Sequence, residues 1–189
     1  LKEMDYFDAA AFYPVLSPYE RIAFYSVFGG SPNALSLINQ KASLEENIKT
    51  LFLNENAPLR FYVEYILFHE LRKAQAANAV MDVLGNSKFR FSEIDERIKG
   101  VEEKNLNRQL KVLLDMEAIE KVSPINAKDD KRKTFYTITD NLVRFYYAYI
   151  FSYRDEIRRL GASTFYRMYI APSIGTFISY RAESIARSY

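Results

Sequence analysis

The spacing of apolar residues changes near residue 118, and that change constrains the fold more than any other feature. Before it, apolar residues recur every three or four positions, which is typical of amphipathic helices. At Ile119-Glu-Lys-Val122 and at Thr134-Phe-Tyr-Thr-Ile138 the apolar spacing becomes two, which predicts strands. The polar stretch between them, Lys128-Asp-Asp-Lys-Arg-Lys133, predicts a turn. The sequence therefore indicates a mainly α-helical chain that contains one small two-stranded β hairpin.

Residues 1–72 are predicted to form a helical subdomain whose short helices are separated by glycine, proline and asparagine. Ser17 with Glu20, and Ser43 with Glu46, match the capping-box pattern that starts a helix. The glycine pair Gly29-Gly30 follows the first of these helices, and we interpret it as a C-cap and turn. We expect residues 1–17 to be irregular.

Residues 73–139 are predicted to form a winged helix-turn-helix. Three helices are expected: the first closed by Gly85-Asn86, the second capped by Ser92 and ending at Gly100, the third over residues 102–117. The hairpin then follows as the wing. In the last predicted segment, 140–189, Asp140 caps a helix that runs to about Arg154, and further helix follows.

Composition excludes most kinds of catalytic centre. The 189 residues include no cysteine and one histidine, so cysteine nucleophiles, thiolate zinc sites and histidine-based triads are excluded within one chain. Nothing in the sequence supplies His69 with the positioned partner that a general base needs, and we expect it to be structural. The lack of cysteine fits a reducing compartment, so a cytoplasmic location is expected.

Two further patterns are missing from the sequence. None of the six glycines begins the Gly-x4-Gly-Lys-Ser/Thr loop that cradles nucleotide phosphates. No apolar run approaches the roughly 20 residues that a membrane-spanning helix needs, so no membrane partner is expected. We therefore predict no catalytic, cofactor-binding or metal-binding residue in this chain.

The predicted winged helix carries the strongest candidate for a binding site, which is a surface for double-stranded DNA. Basic residues outnumber acidic ones only after residue 85, which permits an anionic partner there. Lysine, arginine and asparagine are the side chains that reach phosphates and base edges. The candidate DNA-binding residues lie on the third helix and in the wing: Lys104, Asn105, Asn107, Arg108, Lys111, Lys128, Lys131, Arg132 and Lys133.

Acidic residues keep a second interpretation open, in which the winged helix docks a protein. Glu102, Glu103, Asp115 and Glu117 flank the third helix, and Asp129-Asp130 lie in the wing.

The aromatic run 145–153 could stack unpaired bases. Core packing is the better interpretation of that run, because aromatic side chains bury large areas.

The order of these parts resembles the region that follows the P-loop domain in archaeal-type AAA+ (STAND-like) ATPases. The segment Ser17 to Leu35, with its Gly-Gly-Ser-Pro turn, is similar to the helical lid of that family. Tyr136-Thr-Ile-Thr-Asp140 and the aromatic segment Asn141 to Ile150 are similar to the stretch after the family's winged helix. Gly175 to Glu183 looks like the entry to a PD-(D/E)xK nuclease-like region.

The resemblance implies that ATP and magnesium belong to an upstream domain that this chain lacks. Glu183 would be the first acidic residue of the nuclease-like region, but one carboxylate cannot form a hydrolytic centre, so no catalytic role is transferred to it. Motion at the hinge Gly29-Gly30 would help couple nucleotide state to the winged helix. The chain lacks a starting methionine and ends within an amphipathic pattern, so we expect an internal piece of a longer protein.

Three functions follow as expectations. The first is the non-catalytic C-terminal portion of an AAA+-type ATPase, with a winged helix that binds DNA or a protein partner. The second is a stand-alone transcriptional regulator whose helical front half dimerises or senses a ligand. The third is a docking module that uses the winged helix only as a scaffold.

The missing phosphate loop generates a direct prediction about ATP. The purified chain should show no ATP turnover and no magnesium-dependent rise in melting temperature, because ligand binding to the folded state would raise that temperature. Differential scanning fluorimetry with ATP, with and without magnesium, measures this. A reproducible magnesium-dependent shift in melting temperature would contradict the interpretation that the chain contains the helical lid but lacks the ATP-binding domain.

Overall fold

Capping side chains start two front helices where the sequence predicted them. The computed structural model describes residues 4–71, 75–98, 103–123 and 134–187. The Glu20 N–H donates to Ser17 Oγ at 3.3 Å, and the Ser17 N–H donates to the Glu20 carboxylate at 2.8 Å. The same reciprocal pair joins Ser43 and Glu46. These hydrogen bonds satisfy backbone donors that a helix start otherwise leaves unpaired.

The described elements are mostly helical. Helices α1 to α5 precede residue 72, three more helices and a small sheet follow, and the chain continues as helix from Asn141. Single π-helical turns cover Lys49–Leu53 and Tyr166–Ile170, and a 3-10 turn covers Phe151–Tyr153. In order, the elements are α1 (Tyr6–Ala10), α2 (Pro18–Phe28), α3 (Pro32–Leu37), α4 (Leu44–Ile48), α5 (Pro58–Leu71), α6 (Gln75–Asn86), β1 (Phe89–Arg90), α7 (Phe91–Arg97), α8 (Glu103–Asp115), β2 (Ile119–Val122), β3 (Phe135–Ile138), α9 (Asn141–Tyr149), α10 (Arg154–Leu160), α11 (Ala162–Phe165) and α12 (Ile174–Arg187).

The chain divides into two compact units. Unit 1 combines residues 1–64 with 149–189, and unit 2 comprises residues 65–148. The boundaries of these two units differ from those of the predicted segments, which are 1–72, 73–139 and 140–189. A functional division at the predicted boundaries stays a prediction.

Aromatic side chains fill much of the core of unit 1. The rings of Phe24 and Phe28 lie 5.7 Å apart, and Phe28 stacks on Phe52 at 6.1 Å. Tyr13 is also buried, 6.0 Å from the Phe24 ring, and burial raises the pKa of its hydroxyl far above the usual value. Since aromatic rings bury the largest areas of any side chains, this cluster supplies much of the unit's hydrophobic stabilisation.

Unit 2 contains the predicted hairpin and one additional strand. β2 and β3 pair antiparallel, with Ile119 opposite Ile138 and Lys121 opposite Tyr136. β1 pairs with the other edge of β3, so the sheet order is β1-β3-β2. The mainly helical class with a small β wing is therefore confirmed, and the sheet has three strands instead of the predicted two.

Gly85 does not close α6, as the sequence predicted, but lies inside it, one residue before its end. A Cβ atom at this position would lie 2.7 Å from the backbone nitrogen of Ala148 and 2.8 Å from the Tyr147 carbonyl carbon. The glycine therefore permits a close approach of two backbones, which is a second use of glycine besides ending a helix.

Two other helix boundaries also differ from the prediction. Arg90, not Ser92, is the N-cap of α7, and its N–H donates to the Glu93 carboxylate at 2.7 Å. Residues 1–17 are not wholly irregular, because Asp5 accepts from two backbone N–H groups and starts α1. α7 ends at Arg97, with Ile98 as its C-cap, which is earlier than the predicted end at Gly100. Gly100 itself lies outside the described residues.

The helix after the hairpin begins as predicted and ends earlier. The Asp140 carboxylate accepts from the N–H groups of Leu142 and Val143, at 2.7 and 3.2 Å. α9 ends at Tyr149, and a 3-10 turn separates it from α10. The predicted core role of the aromatic run is confirmed for its first part, since every residue from Phe145 to Ile150 is buried.

A helix that crosses a lipid bilayer must be both long and apolar. None of the described helices combines these two properties.

The turn after α2 generates a prediction about glycine. Gly29 has a φ of 68°, whereas a Cβ atom at Gly30 would overlap the carbonyl oxygen of Met4. Gly30→Ala should therefore destabilise the protein by about 2 kcal/mol, because a backbone contact must be displaced. Gly175→Ala is the matched control, since nothing lies within 4 Å of its added Cβ atom. That change should leave stability unchanged or raise it by up to about 1 kcal/mol. Urea denaturation measures both, and equal effects would contradict the close approach at Gly30.

Candidate nucleic-acid interface

The helix α8 separates apolar from polar side chains around its axis. Leu106, Leu110 and Leu113 are buried, and their spacing of four and three residues places them on one face. The helix ends at Asp115, two residues earlier than predicted; Glu117 then takes a φ of 56°, and the Ala118 N–H donates to the Leu113 carbonyl at 3.0 Å. One face of α8 therefore packs in the core of unit 2, as the sequence predicted.

The opposite side of α8 presents four of the predicted DNA-binding residues to solvent. Asn105, Arg108 and Lys111 are exposed and follow one another at intervals of three residues. Asn107 is exposed and precedes Lys111 by four residues. Residues three and four apart are neighbours on a helix surface, so these side chains form one patch, which we call the α8 patch.

The other predicted DNA-binding residues lie beyond what the structure describes. Lys104 belongs to α8, but its side chain is outside the described residues. Lys128, Lys131, Arg132 and Lys133 are also outside them. The strands β2 and β3, which flank this basic stretch, are described and paired.

The sheet of unit 2 carries a second group of basic side chains that sequence reasoning missed. The Lys88 ammonium and the Arg90 guanidinium both lie over the Phe135 ring, at 5.7 and 4.9 Å from its centre. The two residues are two positions apart on an extended segment, which places them on the same side of the sheet. Cation–π contacts of this kind hold a positive charge in place while leaving it able to meet an anion.

Two more cations lie over rings of the same sheet. The Arg97 guanidinium lies 4.4 Å from the centre of the Phe89 ring, and the Lys121 ammonium lies 5.9 Å from that of Tyr136. Partial burial raises the pKa of the Tyr136 hydroxyl, so that side chain remains a neutral hydrogen-bond donor. The sequence signal for this group was the alternation of Lys88, Phe89 and Arg90. An alternation of three residues is too short to predict a strand.

The electrostatics of the α8 patch favour an anionic partner. Among the described residues, neither Arg108 nor Lys111 forms an ion pair, so both charges face solvent uncompensated. Exposed acidic residues lie further along the chain, at Asp115, Glu117 and Glu120. The patch can therefore donate hydrogen bonds to phosphate oxygens or base edges, and among the described side chains of residues 105–123 the exposed acidic ones lie at the C-terminal end of the helix and after it.

His69, Glu183 and the glycine pair are the other positions that the sequence singled out. His69 is exposed, with its ring 4.4 Å from that of Tyr65, and Glu183 is exposed on α12. Within the described residues, no group of three or more histidine, aspartate or glutamate side chains is arranged to hold a metal ion. The hinge role of Gly29 and Gly30 stays a prediction.

Comparison with known proteins gives one distant relative. No protein-family model matches the chain, and no solved structure matches it. An uncharacterized protein of Methanocaldococcus jannaschii is 24% identical over 153 residues, which covers 80% of this chain and 34% of that protein. The chain thus spans about a third of the length of the relative it matches.

Proposed function

We propose that residues 73–139 act as a winged helix that binds double-stranded DNA through α8. The observation that carries the proposal is the α8 patch, in which Arg108, Lys111 and two asparagines face solvent opposite a buried leucine face. Arginine and asparagine form bidentate hydrogen bonds with guanine and adenine in the major groove, and lysine contacts phosphates. In this proposal α8 is the recognition helix, and the basic hairpin tip contacts the backbone.

The rest of the chain fits the proposal as the non-catalytic C-terminal portion of an AAA+-type ATPase. The resemblance of Ser17 to Leu35 to a helical lid supports it, as does the archaeal relative, in which the matched region is part of a longer protein. ATP and magnesium would bind an upstream domain, and the winged helix would respond to its nucleotide state. A cytoplasmic location belongs to the same proposal.

A protein-docking role for the winged helix is the alternative with its own supporting observation. Asp115, Glu117 and Glu120 are exposed near the end of α8, and negative charge there repels a DNA backbone. A docking module predicts no measurable duplex binding, even at low salt. A stand-alone regulator predicts DNA binding like the first proposal, and the upstream sequence distinguishes those two.

The DNA proposal predicts strong salt dependence that maps to named residues. Each phosphate contact contributes about −0.9 to the slope of log affinity against log salt. Replacing Lys131, Arg132 and Lys133 by alanine should flatten that slope by roughly two to three units. Arg108→Ala should instead weaken binding to a selected sequence more than binding to random DNA, because it points to base edges. Fluorescence anisotropy across a salt series measures both effects.

The control for total charge is Arg167→Ala, an exposed position in unit 1. If this change flattened the salt slope as much per residue as the hairpin variant, binding would not be located in the winged helix. Absence of duplex binding in low salt would replace the DNA proposal with the docking role.

A further inference from the structure

Unit 1 contains a groove that the proposed DNA-binding role does not use. It lies between α5 and α10 and has a volume of about 650 Å³. Sites for small molecules usually enclose about 300–1,000 Å³. The groove is therefore of a size that suits a small molecule.

The walls of the groove are held in place by defined contacts. Arg154 of α10 pairs with Glu64 of α5 through its Nε at 3.3 Å. Arg60 donates to the backbone carbonyls of Glu55 and Phe52, at 2.6 and 3.5 Å. Its guanidinium also lies over the Phe61 ring, 5.1 Å from the centre. Side chains that are already positioned lose less freedom when a ligand binds.

The charge of the groove is positive on its α10 side. Arg154 and Arg158 are one helical turn apart, so their guanidinium groups lie on the same face of α10. The Arg158 side chain is 82% exposed, and its ion pair with Asp155 spans 3.8 Å between two highly exposed groups. Such an exposed pair contributes little stability, so an anion can compete for this arginine.

Beside its charged residues, the groove also has an apolar lining. Ile157 is buried and lines it, and Phe61 lines it with half of its side chain exposed to solvent. An exposed aromatic ring in the same groove as Arg154 and Arg158 matches a ligand that has a flat apolar part and a charged oxyanion. Arginine is well suited to the oxyanion, because its planar fork binds phosphate through two parallel hydrogen bonds.

We propose that this groove binds a small organic phosphate. The phosphate is held by Arg154 and Arg158, and the apolar part packs against Phe61. Glu64 orients the Arg154 guanidinium through their ion pair and is a positioning residue. The site binds without magnesium, since the arginines themselves supply the positive charge.

Phenyl phosphate is the probe for this site, because it combines a ring with a phosphate. We expect saturable binding of phenyl phosphate to the full chain in an NMR titration, tighter than that of inorganic phosphate by about fivefold or more. Benzyl alcohol, which has the ring but no charge, should not bind. Arg158→Gln should weaken phenyl phosphate binding about tenfold, which corresponds to the loss of one charge-assisted hydrogen bond.

Arg159→Gln is the matched control, because Arg159 is the exposed neighbour on α10 that does not line the groove. It should change the affinity less than twofold. Phe61→Ala should remove the advantage of phenyl phosphate over inorganic phosphate and leave the latter's binding unchanged. Non-saturable binding, or equal losses in the two arginine variants, would overturn the proposal. Both arginine side chains are exposed, so their variants are expected to fold, and the melting temperature of each verifies it.

Discussion

Burial of the leucine face of α8 is the constraint on which the candidate interface of unit 2 depends. The side chains of Leu106, Leu110 and Leu113 can be buried together only in one orientation of the helix about its axis. That orientation determines which residues face outward, so the exposure of Arg108 and Lys111 follows from hydrophobic packing. Each buried leucine contributes roughly 2 kcal/mol through burial, more than an exposed polar side chain can gain by turning inward. The candidate site is therefore a consequence of the core.

Local hydrogen bonds explain why much of the fold could be predicted from the sequence. The capping pairs at Ser17 and Ser43, and the cap at Asp140, depend on residues within three positions of one another. The face of α8 depends on spacing within one helix. The four solvent-facing residues of the α8 patch were predicted for the same reason.

What the sequence did not reveal depends on partners that are distant along the chain. β1 has two residues and exists because β3 lies beside it, which no local period can indicate. Gly85 looked like a helix end, but its role is the close approach of the backbone at Tyr147 and Ala148. The groove of unit 1 combines α5 with α10, about 90 residues later in the chain. Its arginines had no sequence motif.

The two positive surfaces differ in the kind of anion that each one suits. The α8 patch is a row of solvated side chains on one helix, and such charges attract a long polyanion mainly through release of its counterions. Binding there should weaken steeply as salt rises. In the groove, Arg154 is oriented by an ion pair, and a small phosphate there would meet two arginines and an aromatic ring instead of a long row of cations. Binding there should depend on the shape of the ligand more than on ionic strength. Under the two proposals, a DNA fragment and a small phosphate would therefore report on separate surfaces, and the salt dependence of binding would distinguish them.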